Sequence, residues 1–290
     1  MTYIKETYTF DQYLSVPLAA TFYRPTSTTD YQSTILYFHG GGLIFGQRED
    51  LPESYLELLT SAGYGVLSFD YLLAPESKLD TIIHYAHKAV NWFVDEATTS
   101  LALPNAHYYL FGRSAGAYLS LYLAAHADDR PQANGLISLY GYYTLNEASF
   151  SIPSRHFLQF NRVNDATVKA LIRSKPLVAG PMDERFILYL AGRQSGQWLN
   201  HLLTPNLKAA DYSLTTQQLQ SLPPTFLAAA AQDPDVPARQ SRLMSKHIRD
   251  AEFHLIDTNE HDFDRTQMET HGLAVYHAMI EWLNQHSPST

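Results

Sequence analysis

The 290-residue chain reads as an α/β fold: an eight-stranded, mostly parallel sheet with helices on both faces and an inserted helical segment. Three observations predict it. Short apolar runs of strand length alternate with runs of helical periodicity, the pattern of a parallel sheet covered on both faces. The alternation stops between residues 145 and 212 and resumes at Pro223. At residues 108–119 an apolar, aromatic run meets Gly112-Arg113-Ser114-Ala115-Gly116 and continues at once as a helical pattern, so one strand turns sharply into one helix around a serine.

Composition supports one large core. The chain is 45% hydrophobic and 17% charged, which is globular rather than disordered, and its length suits one α/β core carrying a subdomain. Twenty tyrosines suggest pockets that are both apolar and hydrogen-bonding. A formal charge of −9 argues against nucleic acid or an anionic membrane surface as partner. Without cysteine there is no disulfide framework, thiol nucleophile or thiolate metal site. The first seven residues lack a basic region followed by an apolar one, and no apolar run approaches a membrane span. A soluble cytoplasmic protein is therefore expected, with a homodimer left open.

In order, residues 3–10 alternate, and after Asp11-Gln12 a second alternating run reaches Phe22-Tyr23-Arg24-Pro25, predicting an antiparallel pair. Turn formers fill 26–33. The run Thr34-Ile35-Leu36-Tyr37-Phe38 is apolar after its first residue, fit for burial on both faces, and breaks into His39-Gly40-Gly41-Gly42. Three glycines leave main-chain N–H groups uncovered, which suits a flexible turn or an oxyanion hole. The second reading is favoured because flexible turns usually mix in Ser, Asn and Asp. A helix at 51–62 and a strand at 65–70 follow. Next comes an amphipathic helix with Ile82, Ile83, Ala86, Ala89, Val90 and Phe93 at spacings of three and four. The strand ending at Phe111, a helix over 115–128 and a strand at 135–140 continue the pattern. Short helices at 155–160, 166–174, 183–191 and 197–203 make up the insertion, read as a lid over 145–212. The core then comprises 1–144 and 213–290. A strand at 223–231, a helix at 239–250, a strand at 252–257 and a helix at 265–284 close the chain.

Gly-x-Ser-x-Gly alone also fits an ordinary strand-to-helix turn whose serine caps the helix. Read as a nucleophile, Ser114 needs a base and an acid in loops beyond the carboxyl ends of other strands, where a parallel sheet forms its crevice. Asp233 and Asp235 both follow the strand ending near Ala231. Asp233 is preferred because it lies nearer the strand and ahead of Pro234, which biases it towards extended backbone. Among thirteen histidines, His261 occupies the loop between the last strand and last helix, whereas His254 lies in a strand and His247, His271 and His277 on helices. His39 is read as a brace for the glycine loop. No metal-ligand spacing such as His-Glu-x-x-His occurs, so neither metal nor cofactor is expected.

The chain resembles the α/β-hydrolase superfamily, and within it the hormone-sensitive-lipase-like carboxylesterases. His39-Gly40-Gly41-Gly42 carries the resemblance, together with Asp70-Tyr71-Leu72-Leu73-Ala74-Pro75-Glu76 against the family's Asp-Tyr-Arg-Leu-Ala-Pro-Glu. The serine pentapeptide and the order Ser114, Asp233, His261 complete it. It covers the core from about residue 17 onward. It implies an ester hydrolase acting on a small-molecule ester through an acyl-enzyme. The catalytic residues would be Ser114, Asp233 and His261, with an oxyanion hole of Gly41, Gly42 and Ala115, Gly40 standing in for one of them. An amidase or peptidase would use the same residues, and a binding protein on a retired hydrolase fold is the non-enzymatic rival. Three departures stand out. Arg113 replaces the family's acid beside the serine, adding a positive charge that bears on substrate preference or oligomer contacts. Leu72 replaces its Arg, and Ser77-Lys78-Leu79-Asp80 replaces its His-Pro-Phe-Pro-Ala.

Overall fold

The computed structural model describes residues 2–27, 31–127 and 130–288. Asp128, the expected end of one helix, lies outside them, as do the terminal positions 1 and 290 of the expected core. The chain opens with β1 (Tyr3–Tyr13) and β2 (Val16–Pro25), antiparallel as expected. Their turn is not at Asp11-Gln12 but at Leu14 and Ser15, whose φ values of 45° and 68° are both left-handed. Two such residues give a hairpin loop the twist of its strands. The interruption at Asp11 is a β-bulge between Thr9 and Asp11.

Strand and helix then alternate through β3 (Thr34–Phe38), α1 (Glu53–Ser61), β4 (Gly65–Phe69), α2 (Leu79–Glu96), β5 (Tyr108–Arg113), α3 (Ala115–Ala125) and β6 (Gly135–Leu139). After the insertion come β7 (Thr225–Ala230) and β8 (Ala251–Ile256), giving one eight-stranded sheet of order β1-β2-β4-β3-β5-β6-β7-β8. Every pairing from β4 to β8 is parallel. Every residue of β3 to β7 is buried, because helices cover both faces. Side chains alternate between two cores. Leu36 and Phe38 join Ile82, Ala86 and Phe93 of α2 on one face. Ile35 and Tyr37 join Leu56 and Leu59 of α1 on the other.

The stretch 145–212 holds α4 (Asp165–Leu171), α5 (Met182–Ser195) and α6 (Trp198–Leu202), with single 3-10 turns at Ala148–Phe150, Phe157–Gln159 and Ala209–Tyr212. It is held against the carboxyl edge of the sheet. Arg185 of α5 donates to the carbonyls of Ile44 and Ala74 at 2.9 and 2.8 Å and pairs with Glu76 at 2.8 Å. Lys78, one of the departures from the family pattern, donates to the carbonyl of His201 at 2.7 Å and so also ties the core to this stretch.

A short α7 (Thr216–Ser221), which the hydrophobic pattern does not announce, is started by a capping box of Thr215 and Gln218. The chain ends with α8 (Arg239–His247), α9 (Phe263–Thr266) and α10 (Leu273–Gln285); the last two were expected as one helix. A π-helical turn at Met268–Gly272 separates them, and a Cβ on Gly272 would stand 1.9 Å from the Tyr55 hydroxyl. Close packing of α1 against this turn accompanies the break. Among the described residues no helix is long and apolar enough to cross a membrane.

Candidate active site

Ser114 stands between β5 and α3 with φ 51° and ψ −116°, a conformation few non-glycine residues adopt. Close approach of neighbouring backbone enforces the turn. A Cβ on Gly112 would lie 2.1 Å from the Gly116 backbone, and one on Gly116 2.0 Å from the Phe38 carbonyl oxygen. The side chain is left half-buried at the N-terminus of α3.

The loops after β7 and β8 meet this turn. His261 Nε2 lies 2.9 Å from Ser114 Oγ, and His261 Nδ1 lies 2.7 Å from Asp233 Oδ2. A carboxylate only accepts, so in the neutral ring Nδ1 carries the proton and Nε2 presents its lone pair to the serine hydroxyl. The Asp233 side chain, fully buried, is held through its other oxygen, which accepts from the N–H groups of Asp235 and Val236 at 2.8 and 2.9 Å. Burial disfavours a charged imidazole at His261. The adjacent Asp233 carboxylate outweighs that and, with Asp235 and Asp262, lifts the pKa from 6.5 to about 9.

Asp235, the alternative acid, does not reach His261's ring. Its two oxygens accept from the Tyr189 hydroxyl at 2.8 Å, and one lies 3.2 Å from Arg193. Arg193 sits among four rings, those of Phe150, Phe157, Tyr189 and Trp198, at 5.2–5.9 Å. Asp235 therefore joins α5 to the loop that carries Asp233. The sequence reading missed Tyr189, Arg193 and Trp198, which look like ordinary helical residues and acquire roles only where the insertion docks.

The glycine loop curls towards the serine. Gly41 and Gly42 have φ of 105° and 60°, and a Cβ on Gly42 would meet the Tyr189 ring at 2.4 Å. Among the described residues no backbone acceptor takes the N–H of Gly41, Gly42 or Ala115. The first two lie in the glycine loop and the third opens α3, whose dipole favours negative charge there. His39 braces the loop, its Nδ1 lying 2.7 Å from the Gly40 carbonyl oxygen. Tyr71, from the Asp-Tyr-Leu-Leu-Ala-Pro-Glu motif, donates to the carbonyls of His39 and Gly40 at 2.9 and 3.2 Å. Trp198 of α6 donates to the Gly42 carbonyl at 3.0 Å.

Ser114, His261 and Gly40–Gly42 line one cavity of about 550 Å³. The rings of Phe45, Phe157, Phe186 and Tyr189 pack together as an aromatic wall, and polar residues including Gln47, Asp50, Glu260 and Arg265 also line the cavity. Arg113 does not present a free charge to it. The guanidinium is 3% exposed and engaged by Asp264, Asp50 and Tyr140.

A family model described as alpha/beta hydrolase fold matches residues 35–265. The arylesterase of Saccharolobus solfataricus is 29% identical over 164 residues, 55% of this chain and 53% of the relative. Carboxylesterase NlhH of Mycobacterium tuberculosis is 26% identical over 225 residues, 78% of this chain and 63% of the relative. The matched stretch thus spans between about half and two thirds of those relatives. The crystal structure of an alpha/beta hydrolase superfamily protein from Enterococcus faecalis superposes with a TM-score of 0.83 at 29% identity, covering 98% of this chain and 99% of that one.

Proposed function

The chain belongs to the α/β-hydrolase family, of the hormone-sensitive-lipase-like type its motifs suggest, and on that premise we propose that it is a serine carboxylesterase. The observation that carries the reading is the unbroken hydrogen-bonded line from Asp233 through His261 to Ser114, ending in a cavity. The relatives named arylesterase and carboxylesterase support esters as the substrate class.

In the proposed reaction Ser114 Oγ attacks the ester carbonyl as His261 Nε2 takes its proton, while Asp233 holds the imidazole tautomer and stabilises the imidazolium. The carbonyl oxygen becomes an oxyanion bound by the N–H groups of Gly41, Gly42 and Ala115, each such donor contributing roughly 3 kcal/mol to transition-state stabilisation. Protonated His261 then gives its proton to the leaving alcohol, and an acyl-enzyme remains. Water, deprotonated by His261, attacks the acyl carbon, and as the bond to Ser114 Oγ breaks the imidazolium gives that proton to the serine oxygen, releasing the acid. The insertion at 145–212 is read as a lid, since it contributes Phe157, Phe186 and Tyr189 to the apolar wall. That wall and the cavity's volume favour short- to medium-chain or aromatic acyl groups.

A p-nitrophenyl acyl-ester series on the wild type and Ser114→Ala tests this. Hydrolysis is expected to peak at short to medium or aromatic acyl groups, with Ser114→Ala lowering kcat by about 10^6. A wild type that cleaves none of the esters, or an equally active Ser114→Ala, would sink the reading.

A further inference from the structure

Arg113 stands immediately before the proposed nucleophile, and its side chain is committed to the loop that carries the proposed base. Its Nη2 donates to Asp264 Oδ1 at 3.1 Å and its Nε lies 3.0 Å from Oδ2. Asp264 is fully buried in α9, three residues after His261. The Tyr140 hydroxyl closes a triangle, accepting from Arg113 Nε at 2.8 Å and donating to Asp264 Oδ1 at 2.7 Å. Its ring meets the His261 ring edge-on at 4.8 Å. Tyr140 follows β6 in a left-handed conformation, φ 41°. A third arm of the guanidinium, Nη1, reaches Asp50 at 3.3 Å, and Asp50 in turn accepts from Tyr37 of β3 and from Arg265 of α9.

One guanidinium thus joins the serine turn to the loops after β3, β6 and β8. The pattern has a mechanical consequence. The Ser114 and His261 loops come from strands three places apart in the sheet, and the hydrogen bond between them spans that gap only if both loops hold their positions. A planar, permanently charged fork donates through Nη2 to Asp264 and through Nε to Tyr140 at once, a two-point geometry that the single nitrogen of an ammonium cannot reproduce.

We propose that Arg113 is a positioning residue: through Asp264 and Tyr140 its fork sets where the His261 loop stands relative to Ser114. The inference rests on the reading of Ser114 and His261 as nucleophile and base, and it explains the cation found where the resembling family carries an acid. It assigns Asp264 a matching role in the same contact.

Removing one partner leaves a buried charge unpaired, which destabilises the fold whether or not geometry matters to catalysis. The test therefore compares Arg113→Met, Arg113→Lys and the double variant Arg113→Met/Asp264→Asn, in which neither charge of the pair remains and the carboxamide oxygen can still accept from Tyr140. Thermal midpoint, kcat, KM and the rate of covalent labelling by an alkyl fluorophosphonate are read for each. The double variant is expected to recover a midpoint near that of the wild type. Its kcat and labelling rate should stay about 10- to 100-fold low, with KM changed by no more than about threefold, the split a misplaced base produces. Arg113→Lys should keep more of the midpoint than Arg113→Met and still show the rate loss. A double variant with both midpoint and kcat restored would overturn the proposal, as would a loss confined to KM. A wild type that hydrolyses esters but takes no label on Ser114 would instead overturn the nucleophile reading beneath it.

Discussion

Asp233→Asn is expected to lower kcat by about 10^4 while leaving the thermal midpoint nearly unchanged, and Asp235→Asn to do the reverse. An asparagine at 233 can still accept from the Asp235 and Val236 N–H groups, so the loop keeps its shape. What it loses is the acceptor-only partner of His261 Nδ1, and with it both the tautomer that aims a lone pair at Ser114 and the charge that offsets an imidazolium. At position 235 the change weakens the partner of Arg193, which is 2% exposed; breaking such a buried pair costs about 3–5 kcal/mol in stability. The pH profile separates the two roles further. The base acts as neutral imidazole, so kcat/KM of the wild type should rise with pH through a value near 9. Asp235 is one of the charges that raise this value, so Asp235→Asn should move the rise towards 6.5 with only a few-fold change in the plateau. Equal losses of kcat in both variants would refute the assignment of Asp233.

Gly116→Ala should be nearly as damaging, by a different route. The added methyl would sit 2.0 Å from the Phe38 carbonyl oxygen and 2.4 Å from that of His39, and neither is a side chain that can swing away. Relief requires α3 to move from the end of β3, which separates Ala115 from Gly41 and Gly42. The expected result is a lowered thermal midpoint together with a kcat loss of about 10²- to 10³-fold, the size associated with one oxyanion donor. A variant with wild-type kcat and midpoint would show that the close approach of helix and strand is not required.

The sheet was legible because burial on both faces leaves a signature that needs no partner to read: four consecutive apolar residues at 35–38, or five at 226–230, each opened by a threonine and bounded by turns. The hairpin was misplaced at Asp11 because a bulge and a turn disturb alternation in the same way, and only pairing register tells them apart. The last helix read as continuous because a π-turn preserves helical composition while packing against Tyr55 interrupts the ladder. At the site, the Gly-x-Ser-x-Gly turn pointed to Ser114 and position after strand ends pointed to His261 and to Asp233 ahead of Asp235; the structure brings Ser114, His261 and Asp233 within hydrogen-bond reach. Position could not reveal the partners of Arg113, which come from residues 50, 140 and 264, nor the bond from Tyr189 to Asp235. Such contacts are fixed by how loops and the insertion fold over the sheet, and no local pattern encodes them.

As the proposed nucleophile, Ser114 must form a covalent bond to the substrate's acyl carbon. The most direct test of that role is labelling of the wild-type chain with an alkyl fluorophosphonate, with the adduct located by peptide mass spectrometry and an ester substrate added as competitor. One phosphonyl group per chain is expected, on the peptide containing Ser114, formed more slowly as ester is added and absent from Ser114→Ala. An adduct on another residue, or an unlabelled chain that still hydrolyses esters, would contradict that role.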